Sequence, residues 1–169
     1  DFKDNTVPGS TARDRDYWRD VGTLSSYYAA HMDLVSPMPV FNLYNLDWPI
    51  FTSVGPYAPA KVVRGDSGWQ SSVYNSILSP GTVIAGGSVS ESVLSPTCFV
   101  QAGAHVSGAV LLNGVRVGEG AVVRNAIIDK GVNVPKGVQI GVDKEADVER
   151  GFLVEDGLTI ISKDQEVPA

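Results

Sequence analysis

The sequence predicts a mainly β protein: a left-handed parallel β-helix of about four coils, preceded by one helix and an extended connector. Three observations carry this. First, branched aliphatics lead a fixed series, Leu94, Val100, Val106, Leu111, Val117, Val123, Ile128, Val134 and Ile140, in steps of six, six and five residues. The unit is seventeen residues, made of three short faces with one a residue shorter. Second, Gly103, Gly120 and Gly137 recur at that same interval, as do Gly114 and Gly131. Three faces need three tight corners, and glycine takes the positive φ that such corners demand. Third, a hexad is too short for a helical repeat, and β-sandwiches do not hold a fixed period. In a solenoid each coil bonds to its neighbours and cannot bury its inner face alone. Hexad solenoids are left-handed, against the general preference for right-handed crossovers.

Composition bounds the rest. A chain of 169 residues with 43% hydrophobic content can bury a core without staples. The single cysteine, Cys98, falls at an inward position of the repeat and reads as a small core residue in a reducing compartment. No apolar run reaches membrane-spanning length, and no signal peptide opens the chain. A net charge of −6 argues against a general nucleic-acid surface while leaving room for a local basic site that holds a small phosphate.

In chain order, Asp1 to Asp16 is polar and turn-rich and begins without Met, as a segment internal to something larger or a processed start would. Thr23 can cap a helix over Leu24–Leu34, whose Leu24, Tyr28, His31 and Val35 fall near one face. His31 reads as a helix-surface or packing residue rather than a ligand, since no second His or Cys stands nearby. Ser36 to Pro59 is rich in proline and aromatics, extended and expected to lie against protein. Lys61-Val62-Val63 reads as a first strand, and Ser67–Asn75 leads into the repeat, which is irregular between Ile84 and Leu94. After Gly141 the period fails. A charged stretch, Asp143–Gly151, precedes an apolar one, Phe152–Ile161, expected to lay a strand or two over the open end.

The repeat alone admits two functions. One is a hexad-repeat acyltransferase, for which His105 is the general-base candidate, without an orienting partner in the sequence. The other is a scaffold that assembles through its flat faces.

The flanks point elsewhere. Tyr17-Trp-Arg-Asp-Val-Gly-Thr23, the following Leu24-x-x-Tyr27-Tyr28 and Met32-Asp33-Leu34, then Phe41-Asn-Leu-Tyr44, Trp48-Pro49-Ile50, Pro59-Ala-Lys-Val-Val63 and Ile127-Ile-Asp-Lys130, closely resemble the bacterial ADP-glucose pyrophosphorylase (glucose-1-phosphate adenylyltransferase) family. The resemblance implies that residues 1–35 are the last strip of a nucleotidyltransferase domain, 36–70 an interdomain connector, and 71–169 a β-helix domain for regulation and assembly. It implies a full-length cytoplasmic homo-oligomer, a tetramer favoured, that makes ADP-glucose and pyrophosphate from ATP and glucose 1-phosphate for glycogen or α-glucan synthesis. Asp20 matches the family's second metal-binding carboxylate, a catalytic residue holding Mg²⁺. Its partner carboxylate, the Gly-rich nucleotide loop and the sugar-phosphate lysine have no match here, so this chain alone is expected to be inactive. Lys130, Lys163 and Arg150 match or lie near basic residues that bind a sugar-phosphate or nucleotide effector between the domains; Lys130 stands where arginine is commoner. Another sugar-phosphate nucleotidyltransferase remains the alternative within the wider family.

Overall fold

The computed structural model describes residues 8–13, 17–53, 55–66 and 68–169. Most of the expected polar arm at Asp1–Asp16, and Ser67 at the head of the lead-in segment, lie outside the described residues.

Helix α1, Leu24–Val35, starts where Thr23 accepts a hydrogen bond from Ser26 N, while Ser26 Oγ accepts from Thr23 N at 3.1 Å. This is a capping box with serine in the usual Glu or Gln place. Strand β1 (Lys61–Val63) opens the solenoid. It is followed by β2 (Ser72–Tyr74), β3 (Ile77–Leu78), β4 (Val83–Ala85), β5 (Ser88–Ser90), β6 (Val93–Leu94) and β7 (Phe99–Val100). Then come β8 (His105–Leu111), β9 (Arg116–Val117), β10 (Val122–Ile128), β11 (Asn133–Val134) and β12 (Gln139–Ile140). All pairings among these strands are parallel, each with a strand one coil away.

The period-17 pattern becomes three internal columns. Val89, Val106, Val123 and Ile140 stack in register down one. Leu94, Leu111 and Ile128 form the second, and Ile84, Val100, Val117 and Val134 the third. Every member is at most 1% exposed, and Cys98 is fully buried beside them. The irregular step between Ile84 and Leu94 resolves here. Val89 fills the inner position with five-residue spacing on both sides, so that coil is sixteen residues long, with Ile84 pairing Val100. At the corners, Gly103, Gly120 and Gly137 have φ of 68°, 66° and 72°. Thr97 (65°) takes the same conformation in the column of Gly114 and Gly131, and a third corner stacks Asn75, Glu91, Gly108 and Asn125 at 44–55°.

Where the period fails, the chain makes a short detour. Asp143 caps a helix absent from the sequence expectation, α2 (Lys144–Glu149). A hairpin of β13 (Leu153–Glu155) and β14 (Leu158–Ile161) follows, joined by Asp156-Gly157, both at positive φ. Two-residue Asp-Gly loops of that conformation match the twist of antiparallel strands. Strand β14 then pairs parallel with β10, with Ile161 opposite Ile128. It is thus the next rung of the solenoid, and Ile161 the last member of the leucine column.

The outer face of β8, β10 and β14 is also apolar. Val110, Ile127 and Ile160 stack on it in register. Together with Leu158 they form a second cluster, against which Leu24, Tyr27, Tyr28 and Met32 of α1 pack. Leu24 and Tyr28 of the expected face are in this contact, joined by Tyr27 and Met32 in place of His31 and Val35. His31 sits at the flank of that contact, its Nδ1 2.9 Å from Tyr27 O and its ring 4.3 Å from that of Tyr27.

Candidate functional site at the head of the helix

Asp20 lies two residues before Gly22, in the exposed turn that enters α1. Its Oδ1 accepts from Gly22 N at 3.0 Å, which holds the carboxylate against the helix start. Arg19 does not pair with it; the guanidinium stands 4.0 Å from Asp33 instead. Among the described residues no group of three His, Cys, Asp or Glu assembles that could hold a metal. Mg²⁺ takes only one or two carboxylates from protein, so Asp20 suits one ligand of a shared site and does not make a site alone.

A cleft of about 450 Å³ opens between the head of α1, at Val21–Leu24, and the solenoid corner formed by Ile127, Asp129, Ile161 and Ser162. Tyr27 borders it. Burial, and secondarily the carboxylate of Asp129, push the Tyr27 phenol above its ordinary value. The register that sets Ile161 opposite Ile128 continues through the bond from Asp129 N to Ile161 O at 2.9 Å. Lys130 and Lys163 stand two residues beyond the paired Ile128 and Ile161, each in the turn that follows its strand. Residues 33 apart in sequence thus take equivalent places in the coil because β14 resumes it after the α2 detour. Lys163 has Asp164 4.0 Å away, and both of those side chains are well exposed.

Arg150 is placed differently from the two lysines. Its Nη2 donates to Gln139 O at 2.6 Å and pairs with Asp147 Oδ1, its Nε donates to Ala146 O, and its guanidinium stacks over Phe152 at 5.2 Å. The carboxylate it meets, Asp147, is completely buried and also accepts from Gly141 N and Thr159 Oγ1. Arg150 is a brace that ties α2 to the last rungs. His105 is exposed on β8, its Nδ1 2.6 Å from Ser88 Oγ in register on the coil before. That contact supplies no carboxylate to orient the imidazole.

Two residues that sequence reasoning passed over contact α1 from the solenoid. Asp156, in the hairpin loop, accepts from Ser25 Oγ, and Gly108 O accepts from Tyr28 OH at 2.8 Å. The Asp-Gly pair at 156–157 was a legible hairpin signal; the bond to Ser25, 131 residues away, was not.

No helix among the described residues is long and apolar enough to cross a membrane. The family model described as GlmU-like, C-terminal hexapeptide matches residues 58–161. Over 99% of its length the chain is 55% identical to a glucose-1-phosphate adenylyltransferase of Arthrobacter sp. (strain FB24), covering 36% of that protein. It is 60% identical over 96% of its length to one of Kocuria rhizophila, covering 40% of it, and 59% identical over 99% to one of Paenarthrobacter aurescens, covering 36%. The chain thus spans between a third and two fifths of the length of these relatives.

Proposed function

Because the chain belongs to the GlmU-like, C-terminal hexapeptide family, we propose that it is the C-terminal part of a bacterial glucose-1-phosphate adenylyltransferase. The observation that carries this is identity of 55–60% along almost the entire chain, flanks as well as hexads, to proteins of that name. The intact protein would be a cytoplasmic homo-oligomer that forms ADP-glucose and pyrophosphate from ATP and glucose 1-phosphate. The exposed apolar side chains fit this reading. Trp18, Met38, Leu46, Trp48, Ile50 and Phe51, each more than half exposed, cluster before the solenoid, where the remainder of a longer protein would cover them.

In this reading a bound Mg²⁺ would supply charge stabilisation for attack of the sugar phosphate on the α-phosphate of ATP. Asp20, whose carboxylate Gly22 N holds against the α1 start, would supply one ligand to that ion. The solenoid carries regulation and assembly, with Lys130 and Lys163 as the pair that receives an effector's phosphate. Two ammonium groups after successive rungs would suit one phosphate group better than either lysine does alone. Arg150 is left out of that pair because Asp147 and Gln139 occupy its guanidinium.

The test compares this chain with the full-length protein. With ATP, Mg²⁺ and glucose 1-phosphate, the 169-residue chain releases no pyrophosphate and the full-length protein does. In the latter, Asp20→Asn lowers kcat by at least ~100-fold, as removing one stabiliser of transition-state charge does elsewhere. Pyrophosphate release by the 169-residue chain, or near-normal turnover by the Asn variant, refutes the assignment.

A further inference from the structure

The apolar contact between α1 and the solenoid is non-directional. Leu24, Tyr27, Tyr28 and Met32 against Val110, Ile127 and Ile160 hold the helix down, yet such burial does not by itself fix a helix along or about its axis. Two hydrogen bonds do. Ser25 Oγ donates to the Asp156 carboxylate in the β13–β14 loop, and Tyr28 OH donates to Gly108 O at the β8 bend. They reach the helix from two separated parts of the solenoid, three residues apart on α1, and so define its position and rotation together.

Both sites are shaped for the purpose. Asp156 is held at φ 50° by the tight hairpin, which points a carboxylate at the first turn of a helix whose own first turn has no acidic residue. An anion there also opposes the positive end of the helix dipole. Gly108 is the only member of its corner column without a side chain; its neighbours are Asn75, Glu91 and Asn125. A Cβ at position 108 would stand 3.1 Å from Tyr28 OH and 2.8 Å from Asn125 Oδ1, so glycine is what lets the phenol reach the carbonyl.

Asp20 is tied in turn to this helix start, through Gly22 N. We propose that Ser25–Asp156 and Tyr28–Gly108 are positioning contacts: the solenoid, through two pins on α1, sets where the Asp20 carboxylate stands. The inference rests on the reading of Asp20 as a Mg²⁺ ligand. It makes the solenoid a structural part of the metal site, acting through α1.

Two measurements test it. In the 169-residue chain, hydrogen–deuterium exchange is followed at the amides of residues 22–28. Ser25→Ala and Tyr28→Phe each raise exchange there about five-fold, the equivalent of one ordinary hydrogen bond, with the solenoid amides unchanged. Ser25→Thr, which keeps the hydroxyl, stays near wild type. In the full-length protein the same Ala and Phe variants raise half-saturating Mg²⁺ and lower kcat by a similar factor, with the KM for glucose 1-phosphate unchanged. Unaltered exchange overturns the pins. Raised exchange with normal Mg²⁺ dependence reduces them to structural contacts and overturns the positioning role. Asp20→Asn is run in parallel: if it turns over normally, the metal reading itself fails and takes this inference with it. A strong loss in Asp20→Asn beside normal Ser25→Ala and Tyr28→Phe refutes the inference alone.

Discussion

Removing the Asp147 carboxylate should undo the joint that lets the solenoid resume after its detour. Asp147 is fully buried and serves three partners: Gly141 N at 2.7 Å, Thr159 Oγ1 at 2.6 Å and the Arg150 guanidinium. These belong to the end of the last regular coil, to β14 and to the end of α2. In Asp147→Ala, the Gly141 amide loses its acceptor, and so does the buried Thr159 hydroxyl. An orphaned buried donor costs about 1–3 kcal/mol. The Arg150 term is smaller, because that side chain is 25% exposed and keeps Gln139 O. The sum is about 3–5 kcal/mol, in line with breaking one side of a buried pair. That is a large share of a normal domain's 5–15 kcal/mol. Asp147→Asn keeps the volume and one acceptor oxygen but loses the charge, and should cost about 1.5–3 kcal/mol. Urea unfolding of the 169-residue chain gives both values from the shift in midpoint at constant slope. A loss below ~1 kcal/mol for the Ala variant, against those orphaning costs, would refute the claim that this carboxylate joins the two parts.

Gly141→Ala should be worse tolerated than Gly151→Ala, although both glycines have positive φ. A Cβ at 141 would lie 1.7 Å from Arg124 O, whereas at 151 nothing stands within 4 Å. The second change costs only the left-handed penalty, about 1–2 kcal/mol. The first adds overpacking of a further ~1–3 kcal/mol, and thermal unfolding of the two variants distinguishes them. Cys98 should be inert to a thiol-disulfide reagent at pH 8 and react on denaturation. Burial pushes its thiol up to about 12, so almost no thiolate exists in the native state. The unfolded thiol ionises first as pH rises, so the native state binds more protons between the two values. Through this residue stability therefore falls from about pH 9 toward 12, and Cys98→Ala should flatten that part of the curve.

The solenoid was legible because its inner positions repeat. Leu94 to Ile140 name three columns by spacing alone, and the corner glycines mark their turns. The same arithmetic passed over Val89, since a five-residue step on both sides breaks the hexad count while leaving the side chain inward. Helix α1 was legible from Thr23 and its apolar spacing. Helix α2, six residues long, was not, because it is too short to show a period and owes its place to the buried Asp147.

For the site, the division has a physical reason. Residue type and local motif single out Asp20, Lys130, Lys163 and Arg150 as charged groups, and sequence by itself determines no more than that. Only the tertiary structure decides which of them meet. It gives Lys130 and Lys163 equivalent places after successive strands because β14 takes the next rung after β10, a long-range pairing that local pattern does not encode. It turns Arg150 inward onto Asp147, and it joins Ser25 to Asp156 across almost the whole chain. Periodicity records which face a residue occupies along its own coil; contacts between coils depend on where the chain leaves the period and where it returns.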